Sequence, residues 1–253
     1  MTHWWNTLYD DLLADLLLAR PEDDTEVRAT LDFLTTELRL TGTSRVFDQC
    51  CGIGSLALPL ARRGITVIGV DQATRYVDRA TRAANERGVP ATFFAGDAFE
   101  FVPTERVDAA FNWWTSFGYT LDDDRNAEML RRAYDSLVPG GRFALDYLNV
   151  PGILRGFQRH VVLQRQTSHG EVVLWRDSAI DLARGSMKKK WTYFVPNGER
   201  VEHESTVKLY LPDALGALLS RVGFVEVCFF GDVHGGPLDL DSPRCIAIAQ
   251  RPT

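Results

Sequence analysis

The chain has 253 residues, 45% hydrophobic and 25% charged, which is enough apolar material for one substantial core. A formal net charge of −6 argues against a nucleic-acid partner, since phosphate-backbone affinity comes from clustered Lys and Arg, and the basic run Lys188-Lys189-Lys190 reads as a solvated strand or turn. The four cysteines, 50, 51, 228 and 245, lack the spacing of a metal site or disulfide framework, and the apolar stretch 12–18 is broken by Asp15, so no metal, signal peptide or membrane span is expected and the anticipated setting is cytoplasmic.

Residues 4–20 repeat apolar side chains at a helical period until Pro21 and the acidic run Glu22-Asp23-Asp24, and a second helix is expected over 25–40 with Gly42 as its stop. Strands and helices then alternate: strand 45–49, helix 55–63, strand 66–70, helix 74–87, strand 91–95, strand 107–112, helix 125–137, and strand 142–147 after the Pro139-Gly140-Gly141 turn. Such alternation implies a parallel sheet with helices on both faces. The pattern changes at 161–166, 171–182, 187–194 and 200–210, four strands separated by Ser-His-Gly, Arg-Gly-Ser and Pro-Asn-Gly turns, which is antiparallel meander chemistry. A helix over 212–222 and strands 225–229 and 245–250 follow. The expected architecture is an α/β, doubly wound, seven-stranded, mostly parallel Rossmann-like sheet with an antiparallel β insertion after the fifth strand. Its parts are N-terminal helices (1–43), a core (44–150), the insertion (151–210), placed where related enzymes carry a substrate cover or dimer surface, and the C-terminal part of the core sheet (211–253).

The first strand-to-helix turn reads Asp48-Gln49-Cys50-Cys51-Gly52-Ile53-Gly54, where Gly52 and Gly54 let backbone approach a ligand at a helix start. Asp71 ends the second strand about twenty residues on, where a carboxylate accepts hydrogen bonds from vicinal ribose hydroxyls. Gly52, Gly54 and Ala57 also satisfy a dinucleotide fingerprint, so at this level a nicotinamide enzyme and another nucleoside-binding enzyme both remain open.

Further along, the motifs resemble, in order, those of class I S-adenosylmethionine-dependent methyltransferases of the small-molecule type. Residues 47–54 resemble the family's first motif, 67–71 its second, Gly96-Asp97-Ala98 its third, 108–112 its fourth and 137–143 its fifth. One departure is that the family's first glycine is Cys50 here. The resemblance implies S-adenosyl-L-methionine as cofactor, leaving as S-adenosyl-L-homocysteine. It places the methionine end near Asp48, Cys50, Gly52, Gly54, Asn112 and Trp113, the ribose at Asp71, and the adenine at Asp97, Ala98 and Gln72. Tyr9 belongs to an N-terminal helix that, with Trp4 and Trp5, closes over the cofactor, ordinary helix packing being the alternative.

Aromatics after the fourth strand, Trp114, Phe117 and Tyr119, stand at the carboxyl edge where such sheets bind ligands and are candidates for the substrate wall. The insertion adds Trp175, Arg176, Tyr193 and His203, although period-two alternation sends half of such residues elsewhere. In the C-terminal loop, Arg244 suits a substrate carboxylate or ties the loop to Asp239 or Asp241. Where the acceptor needs a base, His203, His234 and Tyr119 are the candidates, and His160 and His169 read as loop residues. The expected partner is a small-molecule acceptor, methylated on N or O, for a monomer or homodimer. An NAD(P)-dependent oxidoreductase and a noncatalytic cofactor-binding module are the competing readings, the former disfavoured by the third and fifth motifs.

Overall fold

The computed structural model describes residues 3–21, 23–167 and 170–253; Glu22 and the expected Ser168-His169 turn lie outside the described residues. Seven strands form the central sheet: β1 (Arg45–Gln49), β2 (Thr66–Asp71), β3 (Ala91–Ala95), β4 (Val107–Asn112), β5 (Leu137–Tyr147), β10 (Val225–Phe230) and β11 (Cys245–Gln250). Their order is β10-β11-β5-β4-β1-β2-β3. The first five in sequence run parallel, and β11 inserts antiparallel between β5 and β10. β1 is central and buried on both faces, so its alternate residues feed two cores: Val46 packs with α3 (Thr25–Glu37), α4 (Ala57–Arg62) and α5 (Thr74–Arg87), and Phe47 with α6 (Asp123–Ser136) and α8 (Pro212–Val222). The expected seven-stranded α/β sheet and the position of the insertion are as observed.

The insertion is a second, four-stranded antiparallel sheet of β6 (His160–Thr167), β7 (Gly170–Asp181), β8 (Ser186–Phe194) and β9 (Arg200–Lys208). Val172 and Leu174 of β7 and Trp191 and Tyr193 of β8 share one face and pack against Leu8, Leu13 and Leu16 of the N-terminal segment. A short helix not anticipated from the sequence, α7 (Val150–Arg155), leads into this sheet, capped by Asn149 and carrying Pro151 in its first turn.

The N-terminal segment departs from the single helix expected over 4–20. α1 (Trp5–Leu8) stops at Tyr9, and α2 (Asp11–Leu13) restarts under the Asp10 cap, whose Oδ1 accepts from the Leu13 amide at 2.8 Å; a π-helical turn, Ala14–Leu18, follows. The break has a local cause. Tyr9 turns its ring into the core, while Asp10 meets Tyr76 through its carbonyl (2.6 Å) and His203 through its carboxylate (3.0 Å). Among the described residues no helix is long and apolar enough to cross a membrane.

Candidate active site

The carboxyl ends of β1, β2 and β4 open onto a cleft floored by the turn after β1. Cys50, Gly52 and Gly54 all have left-handed backbones there, with φ of 68°, 55° and 81°. A side chain at position 54 has no room, since its Cβ would approach Leu58 Cγ to 3.1 Å and Ala80 Cβ to 3.3 Å. Cys50, where the resemblance expects glycine, holds a left-handed backbone that favours glycine. Asp71 fixes the turn by accepting from the Gly52 and Ala73 amides, each at 2.9 Å. Gln49, buried below, donates to the carbonyls of Ala98 (3.3 Å) and Met129 (3.0 Å), and so sets the height of the loop after β3 against α6.

Charge in the cleft is acidic. Burial and the neighbouring Asp71 push the Asp48 carboxyl well above the usual carboxylate range, and burial raises Asp71 as well, opposed by its two amide donors. Asp97 stands at the rim, accepting from Phe99 N at 2.8 Å. Asn112 is fully buried beside Gln49 and Cys50, and its Oδ1 has no partner, an acceptor left for a donor from outside the chain. Among the described residues no Lys or Arg lines this cleft, Arg125 standing behind it against Asp97 (3.8 Å) and the Phe99 ring, whereas Trp5, Tyr9, Phe99, Trp113, Trp114 and Tyr119 do. Acids below and aromatic faces around fit a ligand carrying ammonium and sulfonium charges.

A second, larger cleft lies between the core and the inserted sheet. Tyr9, Leu18, Trp114 and Tyr119 line both clefts and form the boundary between them, and the Tyr9 and Tyr119 hydroxyls hydrogen-bond each other there. Burial raises both phenols, so neither ionises near neutrality and both act as hydrogen-bonding groups. The N-terminal segment roofs the boundary: Gln72 donates to Trp5 O at 3.1 Å, Ser55 to Leu18 O at 2.6 Å, and the Trp4 ring lies 4.7 Å from that of Tyr119.

The structure brings Tyr9, Cys50, Gly52, Asp71, Gln72, Asp97, Ala98, Trp113, Trp114 and Tyr119 to the first cleft, with Gly54, Asp48 and Asn112 packed behind its floor. Arg176 and Arg244 reach the second cleft, but Arg244 spends its fork on buried Asp146, at 2.6 and 2.5 Å, and donates to Thr115 Oγ1 at 2.8 Å; its partner is neither Asp239 nor Asp241. Four expected contacts lie elsewhere. Phe117 is wholly buried among Tyr147 and Tyr210; Trp175 is 46% exposed on the far face of β7 against His160; and His203, paired with Asp10, and Tyr193, buried against the N-terminal segment, line neither cleft. The basic run also differs from its reading as a solvated strand. Lys188 and Lys190 point outward, but Lys189 turns into the second cleft beside Met187 and Trp191 of the same face. Arg20, Phe99, Tyr76 and Lys189 were not singled out as site residues, and the alternation of β8 was the signal available for Lys189.

A family model described as a methyltransferase domain matches residues 46–141. The S-adenosyl-L-methionine-dependent Diels-Alderase iccD of Talaromyces variabilis is 32% identical over 127 residues, covering 48% of this chain and 42% of the relative, so the chain spans less than half that protein's length. Among solved structures, the CcbJ methyltransferase of Streptomyces caelestis superposes with a TM-score of 0.79 at 20% identity, covering 97% of this chain and 98% of that one. The sugar N-methyltransferase KedS8 of Streptoalloteichus sp. ATCC 53650 gives 0.71 at 17% identity, with coverage of 91% and 88%. The methyltransferase-domain match over residues 46–141, the sheet order with its antiparallel β11 and the acidic, aromatic cleft agree, and all three are similar to what class I S-adenosylmethionine-dependent methyltransferases have.

Proposed function

We propose that the protein methylates an amine nitrogen of a small molecule held in the cleft between the core and the inserted sheet. The observation that carries this reading is the shared boundary: Tyr9, Leu18, Trp114 and Tyr119 line both clefts, so ligands in the two would lie on either side of the same four side chains. The cofactor supplies an activated methyl on a sulfonium with a neutral thioether as leaving group. The chain's part is then alignment, with Asp71 and Asp97 holding the nucleoside end, Asp48 and Asn112 the amino-acid end, and the Tyr9–Tyr119 pair orienting the nucleophile.

Nitrogen is favoured over oxygen by the groups at the boundary. A hydroxyl acceptor needs a base beside it, and the two tyrosines are held protonated by burial, while His203 is tied to Asp10 away from both clefts. An amine that enters neutral needs only positioning. The sugar N-methyltransferase likeness supports the same class, and the inserted sheet acts as the cover that defines the acceptor. A second reading, in which the cofactor is bound but its methyl is kept, is favoured by the Diels-Alderase relative. Incubation with methyl-labelled S-adenosylmethionine and matched panels of small amines and alcohols tests both. Label transfer to amines with stoichiometric S-adenosylhomocysteine supports the proposal; transfer to alcohols alone overturns the choice of nitrogen, and tight cofactor binding without transfer to any acceptor class supports the second reading.

A further inference from the structure

The second cleft is charged on one side only. Among the described residues four cationic side chains line it, Arg20, Arg176, Lys189 and Arg244, and no Asp or Glu does. Two are already neutralised, Arg244 by Asp146 and Arg20 by Glu26 at 2.5 Å. For Arg176 and Lys189, among the described residues, no carboxylate stands within ion-pair distance, and Arg176 Nε is buried with no acceptor at all.

The pairing of β7 with β8 sets these two side by side. Arg176 lies opposite Trp191 and Lys189 opposite Ser178, so they are diagonal neighbours on the inner face. The indole of Trp191 lies near both, 5.3 Å from the Arg176 guanidinium carbon and 5.9 Å from Lys189 Nζ, and its own Nε1 donates to Ser205 Oγ at 2.8 Å, which fixes the ring. Two like charges withdrawn from water without an acid repel each other and lose hydration. Burial first, then Arg176 and Arg244, lowers the Lys189 ammonium to about 7. Folding alone gives no return for that cost, whereas a bound anion does, and a guanidinium beside an ammonium suits an oxyanion with two or three acceptor oxygens.

We propose that Arg176 and Lys189 form an anion subsite, and that the methyl acceptor carries a carboxylate or phosphate there while its nucleophile lies at the Tyr9–Tyr119 boundary. This rests on the reading of the second cleft as the acceptor chamber. It also makes specificity a property of the insertion: β7 and β8 select for the acid, the core for the methyl donor.

The test is calorimetric titration of the S-adenosylhomocysteine-saturated protein with inorganic phosphate, pyrophosphate and succinate. At least one is expected to bind at low-millimolar concentration or tighter, phosphate species alone marking a phosphorylated acceptor and succinate a carboxylic one. Arg176→Met and Lys189→Met should each weaken that binding at least tenfold and leave S-adenosylhomocysteine affinity unchanged; losing a buried unpaired charge, both variants should fold. Near pH 7.5 binding should also take up a proton at Lys189, whose charged neighbours are Arg176 and the Arg244–Asp146 pair. The uptake is read from the dependence of the heat on buffer ionisation and should vanish in Lys189→Met. No binding of any of the three anions, or binding that neither variant alters, overturns the subsite. Failure of S-adenosylhomocysteine itself to bind would instead strike the cofactor reading, and the same anion titration on the free protein would still decide the subsite.

Discussion

At the scale of the residue, the cofactor cleft is built from groups whose states are unfavourable until a ligand arrives. Asp48 is the clearest. Burial and Asp71 raise its folded value above its unfolded one, so it contributes stability at low pH that is lost as pH rises from the ordinary carboxylate range, near 4, through the raised value. Asp48→Asn should therefore make the ligand-free protein more stable than wild type at alkaline pH and no more stable at acid pH, while weakening S-adenosylmethionine about tenfold or more, the loss of one charge-assisted hydrogen bond. Thermal unfolding across the pH range and calorimetry read the two effects; equal pH profiles would remove Asp48 from this role. The motif residues were legible because a short turn between strand and helix keeps sequence neighbours together in space. The Cys50 departure was legible as a substitution, but only the structure shows that it keeps a left-handed backbone.

At the scale of the element, two ties hold the chamber's edges. Arg244 ties the loop before β11 to Asp146 at the end of β5, and the Asp146 carboxylate also accepts from the Trp114 amide at 2.9 Å. That bond steadies Trp114 and Thr115, which have consecutive left-handed backbones, φ 55° and 60°. Arg244→Met strands a buried carboxylate and should cost about 3–5 kcal/mol in urea unfolding, with Asp146→Asn in the same chain restoring much of it; a loss under about 1 kcal/mol would show that the pair is not structural. The other tie is His203 to Asp10, which joins the inserted sheet to the roof over the cofactor. His203→Ala should weaken S-adenosylhomocysteine binding and leave the pH profile of turnover unchanged, whereas a lost basic limb with intact binding would make His203 a base after all. Neither tie was legible, because each links residues about a hundred or more positions apart. Strand alternation was legible in principle; the Lys188–Lys190 run hid it, since three adjacent lysines read as solvated until β8 assigns the middle one to the inner face.

At the scale of the whole molecule, a doubly wound core carries the first cleft and a sheet inserted after β5 forms one side of the second. The alternating strands and helices made the parallel part of the core readable from local patterns, while the antiparallel placing of β11 between β5 and β10 is set by the assembled sheet. The meander was readable as strands, yet which of its faces meets the core depends on packing with the N-terminal segment, and Trp175 was misplaced for that reason, whereas Phe117, after β4, is buried against Tyr147 and Tyr210. The division of charge is a property of the assembled fold only: acids under one cleft, unpaired cations in the next, and the Tyr9–Tyr119 pair between.

The most direct test is calorimetric titration of the purified protein with S-adenosylmethionine, S-adenosylhomocysteine and NADH. The methyltransferase-domain match and the acidic, aromatic lining of the first cleft predict micromolar binding of the first two and none of the third; binding of NADH in preference to either sulfur compound would contradict it.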